Sequence, residues 1–164
     1  MRDRSIVLLV VATVVTGCTI EQRTDREDAE AVSTRKEIIQ PAGMPRLPVF
    51  STAVRSGDLI FLSGQLGALQ GVDPPRLVEG GVEAETRQTM DNIVATLAAA
   101  GATLDDLIKC TVFLADIADY AAMNTVYAEY FPSDPPARSA VAGSGLALGA
   151  LVEIECIAAT PRSR

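Results

Sequence analysis

Hydrophobic residues recur with a period of two in some stretches of the chain and with a period near 3.6 in others, which predicts strands and helices respectively. Strands are predicted over residues 36–39, 50–55, 59–62, 107–115, 138–143 and 151–160. Helices are predicted over residues 83–100 and 120–130, and Gly101 and Pro132 follow them as terminators. This order predicts an α+β domain, in which two helices pack on one face of a mixed six-stranded sheet.

The same pattern predicts which side chains are buried. The apolar run at residues 59–62 is unbroken, which predicts burial of both strand faces, and Gly57-Asp58 before it predicts a hairpin. In the strand over residues 107–115, one face is expected to hold Ile108, Cys110, Val112 and Leu114. In the first helix, the apolar positions are Met90, Ile93, Val94 and Leu97.

The face of the sheet away from the helices is expected to be partly polar. Lys109, Thr111, Glu153 and Glu155 lie on that face if the helices cover the apolar one. A half-polar sheet face suits either an oligomer interface or exposure to solvent, and the sequence leaves both open.

The N-terminal residues resemble an export signal. Arg2 and Arg4 precede an apolar run over residues 6–15, which is shorter than the roughly 20 residues of a spanning helix. The run ends in Val15-Thr16-Gly17-Cys18, which resembles the lipobox of bacterial lipoproteins. That resemblance implies cleavage before Cys18, lipidation of its thiol and an extracytoplasmic, membrane-anchored domain. An ordinary cleaved signal peptide and an uncleaved anchor remain alternatives.

A charged segment follows the export signal. Residues 19–34 read TIEQRTDREDAEAVST, with five acidic residues, two basic residues and no hydrophobic period. Such a composition predicts an extended tether, because it cannot form a packed core. The predicted organisation is therefore a lipoprotein signal peptide at 1–17, a tether at 18–34 and one folded domain at 35–164.

Composition excludes several classes of function. The chain has 14 basic and 21 acidic residues, and its formal net charge of −7 disfavours nucleic acid as a partner. It has no histidine, which removes the usual general base, the commonest metal ligand and every Ser/His or Cys/His nucleophile pair. Any chemistry must use arginine, carboxylates, hydroxyls, thiols, backbone groups or water.

Three short motifs stand out because they follow one another around the predicted helices and strands. They are Ser63-Gly64-Gln65, Pro135-Pro136-Ala137-Arg138-Ser139 and Val152-Glu153-Ile154-Glu155. Together with Arg87-Gln88-Thr89-Met90-Asp91-Asn92 and Thr111-Val112-Phe113-Leu114, they resemble the Rid family, also called YjgF, the reactive-intermediate deaminases. The resemblance covers residues 37–161.

The resemblance implies a fold, an assembly and a reaction. Members of that family have a chorismate-mutase-like fold and form homotrimers with a site in each inter-subunit cleft. They hydrolyse reactive 2-imino and enamine acids to 2-oxo acids and ammonia. The reaction is water-mediated and needs no cofactor and no metal. The expected partners are therefore a small 2-imino or 2-oxo acid and further copies of the same chain.

Two residues are implied to be catalytic. Arg138 matches the family arginine, and a planar guanidinium can grip a substrate carboxylate with two hydrogen bonds. An arginine in a surface ion pair is the structural alternative. Glu153 matches the family glutamate, which would position or deprotonate the attacking water. Glu155 lies on the same strand face, and two carboxylates there could raise the pKa of one of them, although two solvated carboxylates are the common case.

The remaining site residues are implied to contact substrate, and they are Ser63, Gly64, Phe50, Asn124 and Ala140. Phe50 stands where many active members have a tyrosine, and Ala140 stands where many have a cysteine. Because a phenol and a thiol are lost, a second hypothesis is a lipoprotein that binds small carboxylates, or another partner, in a Rid-like cleft without turnover.

Cys110 and Cys156 fall on the apolar faces of their predicted strands. Burial as inert small hydrophobes is the favoured interpretation. Export would also allow a disulfide between them, provided that their Cα atoms come within about 7 Å.

Overall fold

A computed structural model describes residues 36–44 and 46–160. The strands are β1 (Glu37–Ile39), β2 (Ala53–Ser56), β3 (Leu59–Leu66), β4 (Leu107–Leu114), β5 (Ala137–Ala142) and β6 (Val152–Ala159), and the α-helices are α1 (Gly81–Ala99) and α2 (Tyr120–Glu129). Short 3₁₀ helices lie at Leu104–Asp106, Ile117–Asp119 and Ala147–Gly149. Each predicted strand and helix is present, with shifted ends.

The strands form one mixed sheet in the order β1-β2-β3-β6-β4-β5. The β4–β5 pair is parallel, and the other neighbouring pairs are antiparallel. α1 packs on β3 and β6, and α2 packs beside α1. The buried core lies between the helices and this face, and its fully buried members include Ile60, Met90, Ile93, Leu97, Val112 and Ile154. The expected α+β fold is confirmed, with a mixed six-stranded sheet and two helices on one face.

Three burial expectations are wrong. In β3, Ile60 and Leu62 are buried but Leu59 and Phe61 are exposed, because the helices cover only one face of the sheet. In β4, Leu107 is buried instead of Ile108, since the pairing with β6 is irregular between Leu107 and Lys109. Val94 is 40% exposed, because it lies at the edge of the helical stripe that meets the sheet.

Cys110 and Cys156 are directly opposite each other on β4 and β6 and form a disulfide. Their Cα atoms are 4.1 Å apart, and both residues lie in the core. Burial is therefore confirmed, whereas the interpretation as two inert thiols is wrong. The alternation of apolar residues placed both cysteines on the buried face, but only the sheet order made β4 and β6 neighbours.

Replacing both cysteines with alanine is expected to lower the free energy of unfolding by about 2–4 kcal/mol, because the unfolded chain loses a covalent loop. The two cysteines are 46 positions apart in the sequence, so the loop is long enough to matter. Urea denaturation of the variant and of the unaltered protein measures this loss. Adding a reductant should bring the unaltered protein to the midpoint of the variant, and equal midpoints without reductant would contradict the expectation.

The predicted signal peptide at 1–17, the tether at 18–34 and the candidate lipidation site Cys18 lie outside the described residues. Within residues 36–44 and 46–160, no helix is long and apolar enough to cross a membrane.

Candidate functional site

Arg138 lies on β5 with its side chain on the helix-covered face of the sheet. Its register partner on β4 is Cys110, which is fully buried on that face. The guanidinium carbon lies 4.6 Å from the ring centroid of Tyr127 and 5.8 Å from that of Tyr120. Arg138 Nη2 also donates a hydrogen bond to the Tyr120 hydroxyl at 3.4 Å. Two aromatic rings of α2 thus hold the cation in place.

The Arg138 side chain lines a pocket of about 370 Å³, here called the arginine pocket. Asn124 on α2 and the Pro135–Pro136 approach to β5 contribute to its walls. The two prolines fix the backbone dihedral φ just before the strand, which limits how far Arg138 can move. A half-buried guanidinium with an amide nearby can bind a small carboxylate in a bidentate manner. The structure therefore places Arg138 and Asn124 together.

Glu153 lies on β6, where its neighbours Val152 and Ile154 are fully buried and its own side chain points to the opposite face. Its carboxylate rests against Gly64 of β3 so closely that a Cβ at Gly64 would overlap Oε1 and stand 2.7 Å from Cδ. Partial burial raises the pKa of Glu153 above its ordinary value, and the like charge of Glu155 raises it further. A carboxylate with a raised pKa is suited to accept a proton.

Ser63 and Phe50 are near Gly64 but contribute differently from what the sequence implied. The Ser63 hydroxyl donates a hydrogen bond to the Ser51 carbonyl oxygen at 2.7 Å. Because its only donor is engaged, Ser63 Oγ can contact a ligand only as a hydrogen-bond acceptor. Phe50 is half-exposed and lines, together with Gly64, a second pocket of about 310 Å³. We call this second cavity the apolar pocket.

Ala140 lies two residues after Arg138 on β5, on the same strand face, and is half-buried against the core. It is not among the residues that line the arginine pocket. Its methyl group therefore shares a face with Arg138 without contributing to the pocket wall.

One copy of the chain does not bring Arg138 and Glu153 into one cleft. Arg138 pairs with Cys110, which pairs with Cys156, so these three side chains share the helix-covered face. Glu153 is three residues from Cys156, and an odd separation along a strand reverses the face. The two candidate catalytic groups therefore point to opposite sides of the sheet.

Tyr120 and Tyr127 contact the Arg138 side chain, although the sequence predicted no site role for either tyrosine. Hydrogen bonding to Asn124, followed by the charge of Arg138, lowers the pKa of Tyr120. Burial raises the pKa of Tyr127 to about 12, so its phenol is neutral at neutral pH. The available signal was the spacing of Tyr120, Asn124 and Tyr127, which puts them on one helix face. Within the described ranges, no group of three or more His, Cys, Asp or Glu side chains is arranged to hold a metal ion.

Comparisons with known families, proteins and structures all indicate the same family. Residues 44–160 match the family described as Endoribonuclease L-PSP. The chain is 44% identical over 126 residues to the 2-iminobutanoate/2-iminopropanoate deaminase of Capra hircus, a match that covers 75% of this chain and 89% of that protein. It is 40% identical over 129 residues to the chloroplastic Reactive Intermediate Deaminase A of Arabidopsis thaliana, which covers 78% and 68% respectively.

A solved structure agrees with the fold. The RidA protein of the Antarctic bacterium Psychrobacter sp. superposes with a TM-score of 0.69 at 36% identity, over 75% of this chain and 98% of that one.

Proposed function

Because the chain belongs to the Rid family, which is also described as the endoribonuclease L-PSP family, we propose that it hydrolyses reactive 2-imino and enamine acids. The products are 2-oxo acids and ammonia, and the reaction uses water without a cofactor. The similarity to one protein named as a reactive intermediate deaminase and to another named as a 2-imino acid deaminase supports the reaction class. The observation in this structure that carries the proposal is Arg138, which is held by two aromatic rings beside a pocket large enough for a small carboxylate.

In the proposed mechanism, the Arg138 guanidinium binds the substrate carboxylate with two hydrogen bonds, and Asn124 lies beside it. A lysine ammonium could not provide the same planar pair of donors. This contact fixes the position of the adjacent C=N carbon, which lowers the entropic cost of attack by water.

Glu153 acts as the general base in this mechanism. It accepts a proton from water while the water oxygen bonds to the C=N carbon, and the π electron pair moves to nitrogen. The nitrogen takes up the proton that Glu153 accepted. It receives a second proton from the new hydroxyl as the C–N bond breaks, C=O forms and ammonia leaves. One water is consumed for each 2-oxo acid and ammonia produced, so atoms and electrons balance.

The active site is proposed to form between copies of the chain in a homotrimer. Arg138 and Glu153 lie on opposite sheet faces, so a site that uses both needs Arg138 from one copy and Glu153 from the next. The open sheet face also exposes Phe61 and Val141, which are 42% and 48% accessible and would be buried in such an assembly. Analytical ultracentrifugation measures the mass, and a purely monomeric protein with full activity would contradict this arrangement.

The pH dependence of the rate follows from the raised pKa of Glu153. Since the carboxylate is the active form, kcat is expected to fall as the pH drops through that raised pKa. Glu155→Gln removes the neighbouring like charge, so the acidic limb of the pH–rate profile should move to lower pH. Glu83→Gln removes one charge from an exposed position of α1 and serves as the matched control. A limb that moves equally in both variants, or in neither, would argue against Glu153 as the base.

The domain is proposed to lie outside the bacterial cytoplasm and to be anchored to a membrane through a lipid on Cys18. The lipobox-like sequence supports this, and acyl chains partition into a bilayer at about 0.8 kcal/mol per methylene. Labelling cells with a radioactive fatty acid should mark the protein, and Cys18→Ser should abolish the label and release the protein from the membrane fraction. Labelling that survives Cys18→Ser would overturn the assignment.

Deaminase activity is tested directly with imines made in the cuvette. The full chain, purified in detergent, is added while an amino-acid oxidase generates 2-imino acids, and the formation of 2-oxo acid is compared with the buffer blank. A rate above the blank is expected. A rate equal to the blank for several side chains would overturn the deaminase. In that case, calorimetry would test whether the protein binds 2-oxo acids and whether Arg138→Ala abolishes this binding. Binding that depends on Arg138 would favour a non-catalytic, carboxylate-binding lipoprotein. The absence of a phenol at Phe50 and of a thiol at Ala140 supports that alternative.

A further inference from the structure

The apolar pocket is a separate cavity from the arginine pocket. It lies where the end of β3 meets the segment before β2, the loop after β3 and the 3₁₀ helix Ala147–Gly149. Its volume of about 310 Å³ is roughly twice that of an engineered cavity of about 150 Å³ that binds benzene. A branched aliphatic or an aromatic side chain therefore fits.

The walls of the apolar pocket favour an uncharged occupant. Its apolar lining includes Met44, Leu47, Phe50, Leu69, Val72 and Leu148. Among the residues that the structure describes, no charged one lines it. Leu47, Phe50 and Leu148 are between 39% and 60% exposed, so an occupant would cover apolar surface that water now contacts.

Two amide side chains of the pocket wall, Asn92 and Gln70, are hydrogen-bonded to each other. Asn92 Nδ2 donates to the carbonyl oxygens of Leu66 and Ala68 at 3.0 and 2.9 Å. Asn92 Oδ1 accepts from Gln70 and Gln88, each at 3.0 Å. Because these amides bond to one another and to the backbone, they fix the loop that forms the wall instead of attracting a polar ligand.

The pocket also adjoins the proposed reaction centre. Gly64 lines it, and the Glu153 carboxylate rests against Gly64. Gly64 is therefore shared by the pocket and the proposed reaction centre, and a substituent on the carbon that water attacks would enter the pocket past Gly64. Leu148 stands at the rim with a backbone φ of 59°, in the region that favours glycine, and is 60% exposed. A large apolar side chain held there is positioned to contact such a substituent.

We propose that the apolar pocket binds the side chain of the substrate, so that this protein acts on 2-imino acids with bulky apolar side chains, such as those derived from leucine, methionine or phenylalanine. This inference rests on the proposed deaminase function. It differs from the substrates in the name of the Capra hircus relative, whose side chains have one or two carbons. Each methylene that enters an apolar pocket is worth about 10-fold or more in discrimination.

The first test compares kcat/KM for the imines derived from leucine and from alanine, using the full chain and the same oxidase system. The leucine derivative is expected to be favoured by at least about 10-fold. Ala147 is exposed and lines the pocket, so the tryptophan ring of Ala147→Trp should fill the pocket. This variant should lower kcat/KM for the leucine derivative far more than for the alanine derivative. Ala99→Trp adds the same ring at an exposed position of α1 away from the pocket, and should leave the ratio unchanged.

Equal values for the two derivatives, or equal losses for both in Ala147→Trp, would overturn the inference. If no imine is turned over, the proposed function fails. Calorimetry with 4-methyl-2-oxopentanoate and pyruvate then tests separately whether the apolar pocket binds a bulky apolar side chain. Binding of the larger acid at least about 10-fold more tightly, lost in Ala147→Trp but not in Ala99→Trp, supports the pocket. Equal affinities, or no binding of either acid, overturn it.

Discussion

Replacing Arg138 with lysine is expected to lower kcat/KM about 30- to 150-fold. Lysine retains the charge but loses the two parallel donors that match a carboxylate and the flat group that stacks on Tyr127. Losing such a charged contact costs about 2–3 kcal/mol, and 1.36 kcal/mol corresponds to a factor of ten. Steady-state rates with an in situ imine supply measure the effect, and the loss should fall on KM as well as on kcat.

Arg87→Lys is the matched control for Arg138→Lys. Arg87 also makes a bidentate contact, to Glu129 at 2.6 and 3.1 Å, but that ion pair is exposed on the surface between α1 and α2. Exposed pairs contribute little to stability and this one touches neither pocket. Its kcat/KM should stay within about twofold of the unaltered protein. Equal losses in both variants would mean that Arg138 has no special role in binding the substrate.

Gly64→Ala is expected to reduce kcat about 100-fold, because displacing a catalytic group by about 1 Å has an effect of that size. The new Cβ would overlap the Glu153 carboxylate, so that side chain or β3 must move. The same overlap should lower the free energy of unfolding by about 1–3 kcal/mol, as overpacking does elsewhere. Rates and urea denaturation on the same sample separate the two effects.

Two further variants test the cause of the Gly64→Ala effect. Gly143→Ala places a methyl group where no atom lies within 4 Å, so it should alter neither stability nor rate. Combining Gly64→Ala with Glu153→Ala removes the overlapping carboxylate, so the stability cost of the double variant should be less than the sum of the single ones. Additive costs would show that Gly64 is required for a reason other than its contact with Glu153.

Part of this site was predictable because strand alternation is a local property. Val152 and Ile154 alternate with Glu153 and Glu155, and burial of the first two on the helix-covered face left the carboxylates on the other. The Gly57-Asp58 turn likewise predicted the β2–β3 hairpin, and Gly57 adopts a φ of 57° there. In both cases the pattern extends over only a few residues and needs no knowledge of distant strands.

Other features could not be predicted because they depend on which strands are neighbours. Ile108 was expected in the core, but an irregular pairing with β6 exposes it and buries Leu107. Phe61 was expected to be buried, but no element of the described chain covers that face of β3. Tyr127 was predicted only as part of the second helix, and the position of β5 beside α2 is what brings its ring against Arg138.

The sequence by itself determined the elements, the α+β class, the family resemblance and the candidates Arg138 and Glu153, since periodicity and short motifs are local. Tertiary structure alone decided that Cys110 bonds to Cys156, that Glu153 rests on Gly64 and that Arg138 faces away from Glu153. These features result from the β3-β6-β4-β5 order, which brings together residues far apart in the chain. No local pattern encodes that order, because it is selected by the burial of the whole core.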